Sequence, residues 1–266
     1  MVLERRTEPD PQSRAGGVAP RTAEVLDARG LLGPLLAATG ARASNGNFAA
    51  LALDPRVTDS RHPWLGIAQG PLEAYLAEHL GGLGVPVQRG CEVTGVTPDD
   101  NGVTAVVAGG RTVRGRYLVA ADGGHSTVRT QLGVESPGTP STTSAVAADV
   151  VLAPGAERHV RTEGSALGDF ICRNGDRWTL LMPLGDGLFR LVFGRDGHAG
   201  SRDAPVTVDE VQAALTAVHG PGAEVAALRA ASRFGDAYRQ LAAYRAGRVL
   251  FAGDAAHIHP PWAGRG

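Results

Sequence analysis

Short apolar runs that stop at glycine, aspartate or a burst of charge alternate along the chain with segments whose apolar residues recur at helical spacing. Met1-Val2-Leu3 ends in Glu4-Arg5-Arg6, as the last residues of a buried strand do. Residues 8 to 20 hold three prolines and two glycines and read as loop. Arg21 to Leu36 has helical spacing with Thr22 as the N-cap, and Pro71 to Leu80 places Leu72, Leu76 and Leu80 on one helical face. Val85-Pro86-Val87, Cys91 to Thr97, Val103 to Ala108 and Thr112 to Arg116 are strand-like, with a hairpin turn at Asp99 to Gly102. Tyr117 to Ala121 is a wholly apolar strand ended by Asp122-Gly123-Gly124.

From about Ala145 the pattern changes to longer, antiparallel-type strands: Ala145 to Leu152, then Trp178 to Leu184 and Leu188 to Phe193 around the turn Gly185-Asp186-Gly187. A helix follows at Val208 to Val218. Val249 to Ala252 is another short buried strand, ended by Gly253-Asp254. Two apolar strands that finish in Gly/Asp, separated by a sheet-and-helix insert, predict an α/β fold wrapped around a second, β-rich part. The first and last segments are expected in one sheet.

Composition narrows what the fold does. With 266 residues, 43% hydrophobic against 20% charged, the chain is long and apolar enough for a sizeable core and is not disordered. The 26 basic residues nearly cancel the 27 acidic ones, so bulk charge does not point to nucleic acid or an acidic membrane surface. Every basic residue is arginine, which excludes a P-loop lysine, a Schiff-base lysine and an S-x-x-K acyl-transfer site. Cys91 and Cys172 are too few for a disulfide framework, and a cytoplasmic location is expected. No window approaches the ~18 apolar residues of a membrane span, and no internal repeat is present.

Ligands of open α/β sheets collect at the carboxyl ends of the strands, where both aspartate motifs fall. In Leu118-Val119-Ala120-Ala121-Asp122-Gly123-Gly124-His125-Ser126-Thr127-Val128-Arg129 the glycines permit close backbone approach, and Asp122 either accepts from ligand hydroxyls or caps the helix that follows. Arg248-Val249-Leu250-Phe251-Ala252-Gly253-Asp254-Ala255-Ala256-His257-Ile258-His259-Pro260-Pro261 is more specific: a strand delivers a carboxylate, small residues leave room beside it, and the paired prolines force an extended turn. Asp254, His257 and His259 are chemically adequate for a transition metal, but an extended segment need not converge them and no second cluster accompanies them, so no metal site is assigned. His125 and Ser126 beside Asp122 point in different directions from a helix start and do not make a triad. G-x-S-x-G, H-E-x-x-H and a complete G-x-G-x-x-G are all missing.

Taken together and in order, Glu4-Arg5-Arg6 at a strand end, Arg14-Ala15-Gly16, Pro20-Arg21-Thr22, Gln69 ahead of a helix with Glu73, Asp122-Gly123 and Gly253-Asp254 make a chain that resembles the FAD-dependent aromatic hydroxylases of the p-hydroxybenzoate hydroxylase fold. It is most similar to the bacterial aromatic polyketide hydroxylases. The resemblance implies an incomplete Rossmann-like FAD-binding domain from residues 1–144 and 236–266, with an inserted β-rich (α+β) substrate domain at 145–235. It also implies a monooxygenase that uses FAD and NAD(P)H to hydroxylate a small aromatic or polyketide molecule, with the hard chemistry carried by the cofactor. Glu4, with Arg5 beside it, would serve the adenosine ribose, Arg14 the pyrophosphate and Gln69 the ribityl-phosphate region. Asp254 would hold the ribityl chain, Pro261, Gly264 and Gly266 would run beside the isoalloxazine ring, and Asp122 with Gly123 would help place both flavin and nicotinamide.

Phe170, Trp178, Met182 and Phe193 are expected to offer substrate-facing surface. The departures from the family pattern are the glycine turn of the first βα unit, the helix expected after Gly266, and Trp262 where a small polar residue is usual. They give the expectation of a chain truncated at both ends that, as it stands, binds FAD weakly or not at all and does not turn over. A non-catalytic fragment or substrate-binding module of the fold, and a reductase branch of it, stay open as alternatives. A halogenase is disfavoured by the lack of lysine.

Overall fold

A computed structural model of the protein describes residues 1–10, 17–44, 47–48, 51–52, 61–67, 69–160, 171–185, 187–198 and 204–259. Helices and strands are mixed, and three parts of the molecule matter for the site.

The first part is helical. Pro20–Asp27, Leu32–Thr39 and Gln69–Gly82 are helices. The first two gather around Val18, Ala23, Leu32, Leu35, Leu65 and Ile67, with Leu72 and Tyr75 of the third packed on that cluster. The single helix expected from Arg21 to Leu36 is therefore two. It starts at Pro20, whose ring presets the backbone for a first helical position, and not after a Thr22 cap; Ala19 is the capping residue and makes no side-chain cap bond. Gly30, at φ 70°, lies in the break between the two helices.

The second part carries the parallel strands. Val2–Leu3 pairs in parallel with Val87–Gln88, and Leu118–Ala120 pairs in parallel with Val249–Phe251, which Arg245–Ala246 flanks on its other side. Among the described residues no strand bridges the two pairs, while the strands of the two aspartate motifs, one before and one after the insert, share a sheet as expected. An antiparallel sheet of Val93–Asp99, Gly102–Val107 and Thr112–Gly115 lies alongside, and Val103 of its middle strand joins Ala120, Val128, Val249 and Phe251 in one core. Asp99 closes its hairpin by accepting from the Asn101 and Gly102 N–H groups, and Arg114 grips the same carboxylate at 2.7 and 2.9 Å. The two parallel strands bury alternate residues only. Ala120, Val249 and Phe251 face the core, while Val119 and Leu250, direct neighbours in the register, are 63% and 37% exposed. Burial on both faces, expected from the apolar runs, is not found.

The third part is a five-stranded antiparallel sheet in the order Cys172–Asn174, Arg177–Gly185, Leu188–Arg195, Ser144–Leu152, Val225–Gly235. The helix Val208–His219, capped by Thr207 accepting from the Glu210 N–H, covers one face. There Val146, Ala148, Val150, Leu181, Leu191 and Phe193 pack against Val211, Ala214 and Leu215. The period of two puts the neighbouring residues on the other face: Ala145, Trp178 and Val192, with Leu180, Met182 and Phe234 against them. Asp149 and Arg190 also lie buried on that face, paired through two bonds of 2.8 and 2.9 Å. Phe193 is thus core beneath the helix, whereas Trp178 and Met182 pack on the opposite face, where Trp178 is itself buried. Phe170 lies outside the described residues.

Candidate functional site

The parallel pair brings the two aspartate motifs together. Leu118 stands opposite Val249 and Ala120 opposite Phe251, and the Ala252 N–H donates to Ala120 O at 2.9 Å, so both strands deliver their carboxyl ends at one edge. Each strand then turns through a glycine in the left-handed region, Gly123 at φ 83° and Gly253 at φ 57°. Asp122 and Asp254 stand beside these turns and are exposed.

The two carboxylates are held differently. Asp122 uses Oδ2 to accept from the Val128 N–H at 3.1 Å, while Ser126, fully buried, is the N-cap proper and accepts from the Arg129 N–H at 3.0 Å. Its second oxygen accepts no hydrogen bond among the described residues. One oxygen of Asp122 serves the helix, in keeping with the capping reading. Asp254 accepts no hydrogen bond there at all. Two exposed carboxylates beside glycine turns suit the hydroxyl groups of a ribose or ribityl chain, which can donate where water otherwise would.

Arg129 ties the motifs to one another. Its Nη2 donates to Gly124 O at 2.6 Å and its Nη1 to Ala255 O at 3.1 Å, bridging the two loops directly. The sequence carried it only as the last residue of the first motif, three positions after Ser126, and no spacing rule assigns its role. The loops also touch through Ile258, which lies so near Gly124 that a Cβ there would stand 3.1 Å from its Cδ1. His257 and His259 stack edge to face, 4.8 Å between ring centroids, and among the described residues no three metal-ligating side chains gather.

Other expected site residues are more scattered. Glu4 ends the strand Val2–Leu3; its Oε1 accepts from the Arg6 N–H at 2.8 Å and its backbone carbonyl from the Cys91 N–H at 2.8 Å. Arg5 is exposed. Gln69 opens its helix and donates to Glu73 at 2.6 Å. No shared sheet or described hydrogen bond joins Glu4, Arg5 or Gln69 to the Asp122 and Asp254 edge. Arg14, Pro261, Gly264 and Gly266 lie outside the described residues.

Comparison with known proteins adds to this geometry. The profile of a family described as FAD binding domain matches residues 1–266. A rifampicin monooxygenase of Streptomyces venezuelae is 42% identical over 270 residues, covering 100% of this chain and 55% of the relative. The 12-dehydrotetracycline 5-monooxygenase/anhydrotetracycline 6-monooxygenase of Streptomyces rimosus is 40% identical over 278 residues, covering 100% and 54%. Among solved structures, CabE, an aromatic hydroxylase from angucycline biosynthesis, superposes with a TM-score of 0.85 at 31% identity, over 100% of this chain and 53% of its own. The chain spans about half the length of the curated relatives it matches.

Proposed function

Because this chain belongs to the FAD binding domain family, we propose that the whole protein is an FAD- and NAD(P)H-dependent monooxygenase that hydroxylates a small aromatic or polyketide molecule. In this reading residues 1–144 and 236–266 form a discontinuous, Rossmann-like cofactor part, and 145–235 an inserted substrate part. The observation that carries it is the convergence of Asp122 and Asp254 on one sheet edge through the parallel register of Leu118–Ala120 with Val249–Phe251.

Bound FAD supplies the redox and oxygen chemistry, so no side-chain nucleophile is required. The chain's own residues bind and orient. Asp254 accepts from ribityl hydroxyls, and the open oxygen of Asp122 helps place the flavin and the nicotinamide. Glu4, with Arg5 beside it, would serve the adenosine ribose, Arg14 the pyrophosphate and Gln69 the ribityl-phosphate region, and Pro261, Gly264 and Gly266 would serve the flavin ring. The substrate lies against the sheet face opposite the helix Val208–His219, where Trp178 and Met182 are found. Among the described residues no helix is long and apolar enough to cross a membrane. A chain with only two cysteines, Cys91 and Cys172, fits a cytoplasmic location.

The test is direct. The purified full-length protein should carry absorbance near ~450 nm, where oxidised flavin absorbs, and consume NAD(P)H faster when an aromatic substrate is added. D254A should lose flavin on purification or bind it about tenfold or more weaker, as expected when a hydrogen-bonded charged acceptor worth roughly 1.5–3 kcal/mol is removed. Wild-type protein that neither carries nor takes up FAD ends this reading.

A further inference from the structure

The five-stranded sheet is entered and left through one pair of neighbouring segments. Gly138–Thr139 pairs antiparallel with Tyr238 and Arg239, and a second ladder begins with Ser144 opposite Gly235. Between these ladders the backbone pairing stops and the Asp236 side chain replaces it. Its Oδ1 accepts from the Thr142 N–H at 2.7 Å, the Thr143 N–H at 2.9 Å and Ser141 Oγ at 2.9 Å, and its Oδ2 accepts from Thr142 Oγ1 at 2.8 Å. The Asp236 N–H donates back to Ser141 Oγ at 3.1 Å. One carboxylate thus clasps three consecutive residues that lie more than ninety positions away.

Next to this clasp lies a cavity of about 270 Å³. Thr143, Ala145, Phe234 and Gly235, from the two clasped strands, form part of its wall, together with Ile171 and Trp178. The charged groups on its lining are already paired: Arg173 with Asp196 at 2.7 Å, and Arg195 with Asp176. An apolar, aromatic-containing cavity whose charges are neutralised suits a planar ring better than an ion. Asp236 is not part of the lining, but its neighbour Gly235 and its partner Thr143 both are.

We infer that Asp236 is a positioning residue: by pinning Ser141, Thr142 and Thr143 to the end of the strand Val225–Gly235, it preforms the cavity wall against which a planar aromatic ligand lies. The ligand class rests on the aromatic-hydroxylase reading above; the clasp itself does not. A wall held by charge-assisted bonds costs the ligand little ordering on binding, whereas a wall freed to move must be ordered at the expense of affinity. The strands that carry Asp122 and Asp254 belong to a different sheet from the cavity wall, and Tyr238–Gln240 keeps its own ladder to His257–Ile258, so the effect is expected on the aromatic ligand, with FAD content as the control.

The experiment uses the full-length protein, with alizarin, a planar tricyclic phenol, as the calorimetric probe, and reads FAD content and melting temperature alongside. D236A should bind alizarin about tenfold more weakly with FAD content unchanged. D236N should recover affinity to within about threefold of wild type, because its amide oxygen still accepts from the backbone N–H groups and Thr142 Oγ1 can accept from its amide nitrogen. A role confined to stability would lower the melting temperature and leave alizarin affinity below it unchanged. If D236A does not fold, T142V, which removes one donor only, should still weaken alizarin binding by about threefold. Unchanged affinity in the folded variants, or no alizarin binding by flavin-loaded wild type, overturns the inference and leaves the family reading standing. Wild type without FAD overturns that reading instead, and the alizarin comparison still decides the clasp.

Discussion

Arg129 and Ala255, 126 positions apart in the chain, are joined by a 3.1 Å hydrogen bond from the guanidinium to the backbone carbonyl. The same guanidinium holds Gly124 O at 2.6 Å. One planar, forked donor therefore fixes the spacing of the two loops that carry Asp122 and Asp254, and a point-like ammonium could not serve both carbonyls equally. R129A should destabilise the protein by about 1–3 kcal/mol, the usual cost of stranding acceptors from a charged donor, and should weaken FAD binding. R129K should fall between it and wild type. Chemical denaturation and flavin titration of the three proteins check the order.

The Asp149 and Arg190 pair is buried on both sides, and removing one partner leaves the other as an uncompensated charge. R190M should cost about 3–5 kcal/mol in denaturant unfolding. The double variant D149L/R190M should recover much of that loss, since an apolar pair of similar volume is often as stable as a buried ion pair. A double variant as unstable as the sum of the singles would contradict this account.

Acid should act through Asp236. Its donors, the Thr143 N–H first, then the Thr142 hydroxyl and N–H and the Ser141 hydroxyl, hold the carboxyl well below the usual carboxylate range. A group whose folded value is depressed contributes stability that is present above the unfolded value of about 3.9 and is lost as pH falls below it toward the folded value. The melting temperature of wild type should therefore fall more steeply than that of D236N below pH about 4. Above that pH the two curves should run parallel, which thermal melts across an acid series will show.

Gly194 lies beneath an indole. A Cβ at that position would stand 2.6 Å from Trp178 Cζ2 and 2.9 Å from its Cε2, too close for the ring to stay where it is. G194A should displace Trp178, shift its fluorescence and cost about 1–3 kcal/mol by overpacking. W178L/G194A should be less destabilised than G194A alone, because the clashing ring is gone.

Much of this was legible in the chain. The strands Ser144–Leu152, Arg177–Gly185 and Leu188–Arg195 follow the expected apolar segments with small shifts at their ends, and the helix Val208–His219 follows its periodicity. The apolar pattern predicts no element over Val225–Gly235, which is the longest strand of the sheet. Its run Val-Ala-Ala-Leu-Arg-Ala-Ala-Ser-Arg-Phe-Gly is rich in alanine and arginine and has weak intrinsic strand preference. It is a strand because Ser144–Leu152 offers it a ladder along nearly its whole length, with irregularities at Asp149/Val150 and Val151/Leu152.

The sequence by itself determined where apolar strands end in Gly/Asp, and hence that Asp122 and Asp254 are ligand-edge candidates, because a strand's stop signal is local chemistry. It also determined the family, because motif order survives without coordinates. The sequence also led to the expectation that both aspartate strands lie in one sheet; only the tertiary structure decided the register, Leu118–Ala120 in parallel with Val249–Phe251, that puts them at one edge. Only it decided that Phe193 and Trp178 pack on opposite faces of the sheet, and that Arg129 meets Ala255, Arg190 meets Asp149 and Asp236 meets Thr143. These pairs are far apart in the chain and follow no fixed spacing. They form because sheet register and loop packing bring donors to acceptors that would otherwise be left unsatisfied, and that requirement acts in space, not along the chain.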